Sequence, residues 1–198
     1  MTYYSHFTEV DNERFRLDTR IYLEETPETP NIEGGVCIAA VVGKNPGSAR
    51  PRRLDEWALL DLGNDKMLPN VRNRFRSGYE LAGKTIPHGA FVRVWNLFYL
   101  CKADLDAAVE SINRVGFQAP TCASEANRHQ IVWFLWGGFD ARINRFKARF
   151  QKANIERPFF FDNLSKTIIE RVPSESEFAR HTQGMRVRAI DEYLASIL

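Results

Sequence analysis

Cysteine, net charge and long apolar runs are all scarce in this sequence, and each scarcity narrows the class of protein it can encode. The three cysteines form no C-x-x-C pair and have no Cys/His spacing typical of zinc, and their odd number fits a reducing compartment. No apolar stretch approaches the roughly 20 residues that cross a bilayer, and the N-terminus lacks the pattern of a secretion signal. We therefore expect a cytoplasmic protein without a membrane segment, a metal or a cofactor.

The charge balance leaves the choice of partner open. The 27 basic and 25 acidic residues give a net charge of only +2, so any binding of DNA must come from a local patch. A chain of 198 residues with 44% hydrophobic residues and no repeat or linker fits one domain. We expect a monomer with a single domain over 1–198, which begins with a strand or hairpin extension over about 1–34.

The most informative stretch is an apolar run over 36–42 that stops abruptly in a loop. The run is short, β-branched and apolar on both alternating faces, as in a strand buried within a parallel sheet. Gly43, Pro46 and Gly47 then end it. Ligands of open parallel sheets bind at the carboxyl ends of strands, so this loop is a candidate site; the alternative is an ordinary turn.

Further strands and helices alternate along the chain. This alternation predicts an α/β three-layer sandwich, in which a mainly parallel sheet of about four to five strands has helices on both faces. Two more buried central strands are expected at 91–99 and 131–136. The remaining predictions are an edge strand or hairpin arm at 15–23, strands at 158–161 and 167–172, and helices at 68–81, 103–115, 124–129, 140–153 and 189–198.

Polar groups stand at the ends of these predicted strands. Asn96 lies among apolar and aromatic neighbours, where its amide must find hydrogen bonds or cost roughly 1 to 3 kcal/mol. It therefore either ties down a loop or receives a ligand. Gly137 and Gly138 end the third strand, and His181 lies in a late polar loop. In a parallel sheet these ends converge on one edge and form a polar cleft.

In these segments the sequence resembles the uracil-DNA glycosylase superfamily. Gly43-Lys44-Asn45-Pro46-Gly47 looks like its first motif in the G-x-N-P-G form, and Trp95-Asn96-Leu97 resembles the strand whose asparagine reads the flipped base. The segment 132–138 is similar to the V-x-F-L-W-G-S strand, and 181–185 occupies the place of the H-P-S-P-L loop. The order of the four segments covers most of the chain.

A closer likeness is to an uncharacterised bacterial and phage family with an N-P-S-x-A loop, a later N-L-F segment and a W-G strand. The matching pieces are Asn45-Pro46-Gly47-Ser48-Ala49, Asn96-Leu97-Phe98 and Trp136-Gly137. That family has no established activity, so it supports the fold more than the function. Superfamily members with strong uracil excision usually carry an acidic residue where this chain has Asn45.

The resemblance implies a DNA N-glycosylase that flips out and hydrolytically removes a modified or mismatched base. Asn45 would orient the water and His181 would stabilise the departing base. Base binding would fall to Gly43, Lys44, Pro46, Gly47, Asn96 and Phe75, and DNA binding to Ser48, Arg50, Arg52, Arg53, Gln183, Met185 and Arg186. 

Simpler roles stay open for several of these residues. The arginines could be solvated surface, His181 an exposed loop histidine, Asn96 a structural amide and Met185 a helix-capping contact. The alternative function is a non-catalytic module that binds a nucleotide or nucleic acid in the same cleft. A third possibility is another reaction on a nucleoside or nucleotide.

Overall fold

The computed structural model describes residues 2–26, 34–47, 57–182, 185 and 187–198, together with the backbone of 50–51. The strands are β1 (Tyr3–Val10), β2 (Glu13–Tyr22), β3 (Val36–Gly43), β4 (Arg50–Pro51), β5 (Trp57–Asp61), β6 (Ala90–Asn96), β7 (His129–Phe134), β8 (Ile155–Phe161) and β9 (Ile168–Ile169). The helices are α1 (Met67–Leu81), α2 (Leu105–Val115), α3 (Asn144–Lys147) and α4 (Val187–Ile197). Short 3-10 helices span Gly116–Gln118, Ala123–Ala126 and Phe150–Lys152.

The described strands form one mixed sheet in the order β4-β5-β1-β2-β6-β3-β7-β8-β9. The pairs β6–β3, β3–β7 and β7–β8 are parallel. The pairs β4–β5, β5–β1, β1–β2, β2–β6 and β8–β9 are antiparallel. The chain is therefore α/β as predicted, but the prediction of a mainly parallel sheet of four to five strands is wrong in both size and direction.

The N-terminal hairpin accounts for much of this difference. β1 and β2 pair around Asp11 and Asn12, which both have positive φ, as a two-residue type I′ turn requires. The segment 15–23 was expected as an edge strand or a hairpin arm. β2 is a hairpin arm but not an edge, because it pairs with β1 on one side and with β6 on the other. The hairpin thus extends the sheet itself.

The three strands predicted to be central and buried are buried strands. β3 covers 36–43 and is hydrogen-bonded on both sides, to β6 and to β7. β6 ends at Asn96 rather than at 99, although Leu97 and Phe98 still donate to the carbonyls of Gly43 and Lys44. β7 runs from His129 to Phe134, two residues earlier than expected at each end.

Two buried cores lie on opposite faces of the sheet. The α1-side core joins Val71 and Phe75 of α1 and Ile190 of α4 to inward-facing strand residues such as Val94. The α2-side core joins Ile112 of α2 to the residues of the other face, including Val42, Trp95, Phe134 and Phe150. Successive strand residues point to opposite faces, which is why the buried strands are apolar on both.

The predicted helix over 140–153 is largely wrong. The chain instead forms the single helical turn α3 and the 3-10 helix Phe150–Lys152. At its start, Asp140 accepts hydrogen bonds from the backbone and the side chain of Arg142, which closes a local turn in place of a helix. The predicted strand over 167–172 is reduced to Ile168–Ile169. The hydrogen bond from the Arg142 backbone to the Asp140 side chain thus replaces the start of the helix that periodicity predicts over 140–153.

Gly78 of α1 packs closely against α4. A Cβ at this position would lie 2.8 Å from the Cβ of Leu194 and 3.1 Å from Cδ1 of Leu198. Alanine usually stabilises a helix relative to glycine by about 0.5–1 kcal/mol. Here we expect Gly78→Ala to lower the free energy of unfolding by about 1–3 kcal/mol, because the helices must move apart. Urea denaturation measures this, with the exposed Glu80→Ala as control; a stabilised Gly78→Ala variant would contradict it.

Candidate active site

The carboxyl ends of β6, β3 and β7 lie side by side at one edge of the sheet. β3 lies between β6 and β7, and the chain after β3 continues through β4 and β5 to α1 on one face, whereas the chain after β7 continues to Ile143 and Phe150 on the other. Backbone hydrogen bonds hold the ends together, since Leu97 N donates to Gly43 O at 3.0 Å and Leu135 N donates to Val42 O at 2.8 Å. A position where neighbouring parallel strands continue to opposite faces of the sheet is a topological switch point, and open α/β sheets bind their ligands there.

Asn96 is the most unusual side chain at this edge. It is 0% exposed, and within the described part of the chain neither its amide oxygen nor its amide nitrogen has a hydrogen-bond partner. A Cβ on Gly43 would lie 2.8 Å from the Asn96 Oδ1 and 3.6 Å from the Met67 Sδ. The amide therefore packs over Gly43, next to the first residue of α1. It ties down no described loop, and its buried donor and acceptor are unpaired, although Asn96, like Gly43 and Lys44, is not among the residues that line the cleft at this edge.

A cleft of about 270 Å³ opens at the same edge. It brings Asn45 and His181, the two predicted catalytic residues, together from segments 136 positions apart in the sequence. Gly47, predicted to bind the base, also lines it. The full lining is Asn45, Gly47, Asn64, Asp65, Lys66, Met67, Ala103 and His181.

Asn45 lines one side of the cleft, and its side chain is held by the backbone. Its amide nitrogen donates to the carbonyl of Lys102 at 2.5 Å and to that of Pro46 at 3.4 Å. The first bond joins the loop after β3 to the loop after β6. Because the amide hydrogens serve the backbone, the atom that Asn45 offers to a water or a ligand is its carbonyl oxygen.

Asp65 is a cleft residue that the sequence interpretation missed. Its Oδ1 accepts hydrogen bonds from the backbone nitrogens of Met67 at 2.8 Å and Leu68 at 3.3 Å, so it caps the start of α1. Its Oδ2 lies 3.8 Å from where a Cβ of Gly47 would be. One carboxylate oxygen is thus fixed by the helix while the other faces the loop. An aspartate just before a helix with Pro69 in its first turn is a recognisable sequence signal.

His181 lies half-buried in the cleft, and its surroundings set its charge. Burial lowers the pKa of its imidazole, the carboxylate of Asp65 acts in the opposite direction, and the ammonium of Lys44 lowers the pKa further. The lowered pKa favours the neutral imidazole at neutral pH. In this form one ring nitrogen can donate a hydrogen bond to a developing negative charge.

Lys44 supplies positive charge where the loops after β3 and β7 meet. Its Cε and Nζ lie 3.7 and 3.8 Å from the Cβ position of Gly137, whose φ of +84° favours glycine. Hydrogen bonds from Arg142 chiefly lower the pKa of Asp140 to about 2, and burial chiefly lowers the pKa of Lys147; the charge of Lys44 lowers both further. The predicted motif residues of the two loops are therefore in contact.

The other predicted site residues lie elsewhere or outside the described part of the chain. Phe75 is fully buried in the α1-side core, Met185 is 9% exposed and packs there too, and Pro46 is buried in the loop; none of them lines the cleft. The described part of the chain does not include Ser48, Arg52, Arg53, Gln183, Arg186 or the side chain of Arg50.

The cysteines do not form part of this site. All three are free, and burial raises the pKa of Cys101 to about 11 and that of Cys122 to about 12, so both thiols stay protonated at neutral pH. Among the described residues no group of three His, Cys, Asp or Glu side chains is arranged to hold a metal ion, and no helix has the length and apolarity to cross a membrane. The chain matches no family model, no curated protein and no solved structure.

Proposed function

We propose that the protein is a DNA N-glycosylase that flips out and hydrolytically removes a modified or mismatched base. The observation that carries this proposal is Asn96, whose buried amide has no partner and lies beside a cleft lined by Asn45, Asp65 and His181. One amide offers one acceptor and one donor direction, which match the edge of a base taken out of the stack. Leaving such a group unpaired costs about 1–3 kcal/mol, which bound ligand would recover.

The resemblance to the uracil-DNA glycosylase superfamily supports the proposal at several positions. The Gly43 loop, Asn96 and Gly137, which carry the resemblance, lie at the ends of three neighbouring parallel strands. His181, from the last resembling segment, lines the cleft next to Asn45. We therefore propose a uracil-DNA glycosylase-like arrangement for the parallel part of the sheet.

The chemistry requires charge stabilisation on both sides of the bond that breaks. As the bond between C1′ and the base nitrogen breaks, its electron pair moves to the base, and the neutral His181 donates a hydrogen bond to the resulting anion. The oxygen of water forms the new bond to C1′. Asn45 orients this water through its carbonyl oxygen, and the free oxygen of Asp65 accepts the proton that the amide cannot take.

DNA would approach this edge through positive charge. Lys44 stands at the rim between two loops, and the arginines at 50, 52 and 53 follow the same loop in the sequence. Side chains of this kind contact phosphates and position the duplex or single strand without reading its bases.

The test is a panel of oligonucleotides that carry uracil, hypoxanthine, mismatches or hypermodified bases, followed by alkali. We expect strand cleavage at one of these bases, and we expect His181→Ala to lower the single-turnover rate by about 10²–10³-fold with little change in DNA affinity, because the hydrogen bond strengthens in the transition state. His88→Ala, an exposed histidine outside the cleft, is the matched control. 

The alternative is a non-catalytic binding module, which is favoured by the commitment of the Asn45 amide hydrogens to backbone carbonyls. Tight, salt-sensitive DNA binding without abasic sites on any oligonucleotide would support this alternative. If the parent and His181→Ala excise bases equally fast, the role of His181 is refuted, but the proposal of a DNA N-glycosylase stands.

A further inference from the structure

Arg16 on β2 is a buried cation that the described structure leaves without a counter-charge in contact. The residue is 1% exposed, and its Nε and Nη1 have no hydrogen-bond partner among the described residues. Its backbone is ordinary, since its N–H donates to the carbonyl of Tyr99 at 2.9 Å. Burying an unpaired guanidinium is among the most costly features a fold can contain. A buried guanidinium of this kind is expected to pair with a negatively charged group of a bound ligand.

The surroundings of Arg16 connect it to the cleft. Burial lowers the pKa of its guanidinium, and the carboxylate of Asp65 acts in the opposite direction. Cys101 packs against the α1-side core, and Asp65 lines the cleft and caps α1. Arg16 follows Phe15 of the α2-side core, so its side chain lies on the α1 side of the sheet. The backbone partner of Arg16, Tyr99, lies four residues before Ala103 of the cleft lining. These positions place Arg16 near the cleft.

A second unpartnered group lies on the same side of the sheet. Asn96 packs over Gly43 beside Met67, which lines the cleft two residues after Asp65. The α1 side of the sheet thus holds a buried amide and a buried guanidinium, and neither the Asn96 amide nor the Arg16 Nε and Nη1 have a hydrogen-bond partner among the described residues. Together they present several donors but only one acceptor, the Asn96 Oδ1.

We propose that Arg16 recognises a negative charge on the base that occupies the cleft, so that the preferred ligands are heterocycles with an ionised substituent. This inference rests on the proposed function only for the location of the base. Guanidinium groups match carboxylates in a bidentate geometry that neutral amino groups cannot satisfy. A base that presents an amino or methyl group there would leave the Arg16 donors unpaired.

The test compares two free bases that differ in one substituent, 5-carboxyuracil and thymine. By titration calorimetry at pH 7, we expect the wild-type protein to bind 5-carboxyuracil about 10- to 100-fold more tightly, because the hydrogen bonds are charge-assisted. Arg16→Met should bind both bases equally, Arg16→Lys should retain a weaker preference, and Arg14→Met, on the same strand in an exposed ion pair with Glu9, should resemble the wild type.

Thermal unfolding separates recognition from a structural role. Methionine fills a similar volume without a charge, so Arg16→Met should raise the Tm by about 3–6 °C while it abolishes the preference. A lowered Tm together with an unchanged preference would show that Arg16 is structural. If Arg16→Met does not fold, the wild-type comparison decides by itself, and equal Kd values for the two bases overturn the proposal.

Failure of the proposed function gives a different pattern. If no oligonucleotide yields an abasic site but 5-carboxyuracil still binds through Arg16, the glycosylase proposal fails and this inference stands. If bases are excised and Arg16→Met removes carboxylated and methylated bases in the same ratio as the parent, the inference fails and the glycosylase stands.

Discussion

Replacing Asp65 with Asn is expected to lower the single-turnover rate of base excision by about 10²–10⁴-fold, the usual contribution of a positioned general base. The amide keeps the shape of the carboxylate but cannot accept the proton of the attacking water. Asparagine is also a good helix cap, so its side-chain oxygen can still accept from the backbone nitrogens of Met67 and Leu68. We therefore expect the free energy of unfolding to change by less than about 0.5 kcal/mol.

Two further variants separate proton transfer from helix capping. Asp65→Ala removes both functions, so it should lose the activity and about 1 kcal/mol of stability. Asp61→Asn is the matched control, because Asp61 also accepts a backbone hydrogen bond, from Gly63 at 3.1 Å, but does not line the cleft. If Asp65→Asn excises bases as fast as the parent, another group must accept the proton.

Adding one methyl group at Gly43 is expected to have the second large effect. The new Cβ would lie 2.8 Å from the Oδ1 of the fully buried Asn96, so the amide must move. We expect Gly43→Ala to lower the free energy of unfolding by about 1–3 kcal/mol, as overpacking of a core usually does. The same displacement should relax the choice of base, because Asn96 no longer meets the base edge in its original position.

A double-mutant cycle attributes this effect to Asn96. Asn96→Ala removes the colliding oxygen, so Gly43→Ala should cost at least about 1 kcal/mol less in that background than in the parent. Gly47→Ala is the matched control in the same loop, since among the described residues its Cβ would meet only Asp65 Oδ2, at an ordinary 3.8 Å. Urea denaturation of the four proteins measures the coupling; additive costs would mean that Asn96 does not pack against Gly43.

The strongest sequence predictions concern local, apolar patterns. The strands around 36–42 and 131–136 and the helices around 68–81, 103–115 and 189–198 all occur, with ends shifted by up to about two residues. Asp104 precedes α2 and caps it, since its carboxylate accepts from Ala107 N at 2.8 Å. These elements follow from interactions within a few residues, which a single sequence contains.

The direction and order of the strands depend on contacts that are distant in sequence. The alternating segment at 15–23 is compatible with an edge strand, yet pairing of Ile21 with Val92 makes β2 an inner strand of the sheet. Nothing within the segment encodes the neighbour it will find. The predicted sheet is too small for this reason. It is predicted as mainly parallel because the strands with the clearest apolar patterns are the parallel ones.

For the candidate site, the sequence by itself determined which loops carry polar groups, namely the Gly43 loop with Asn45, the end of β6 with Asn96 and the late loop with His181. Only the tertiary structure decided which other residues join them. Asp65 enters the cleft because α1 begins there, and Arg16 reaches the same region because β2 lies beside β6. The physical reason is that both depend on neighbours distant in sequence: Arg16 is an ordinary surface charge until the fold buries it without a matching partner, and Asp65 is one until the cleft forms beside the helix that it caps.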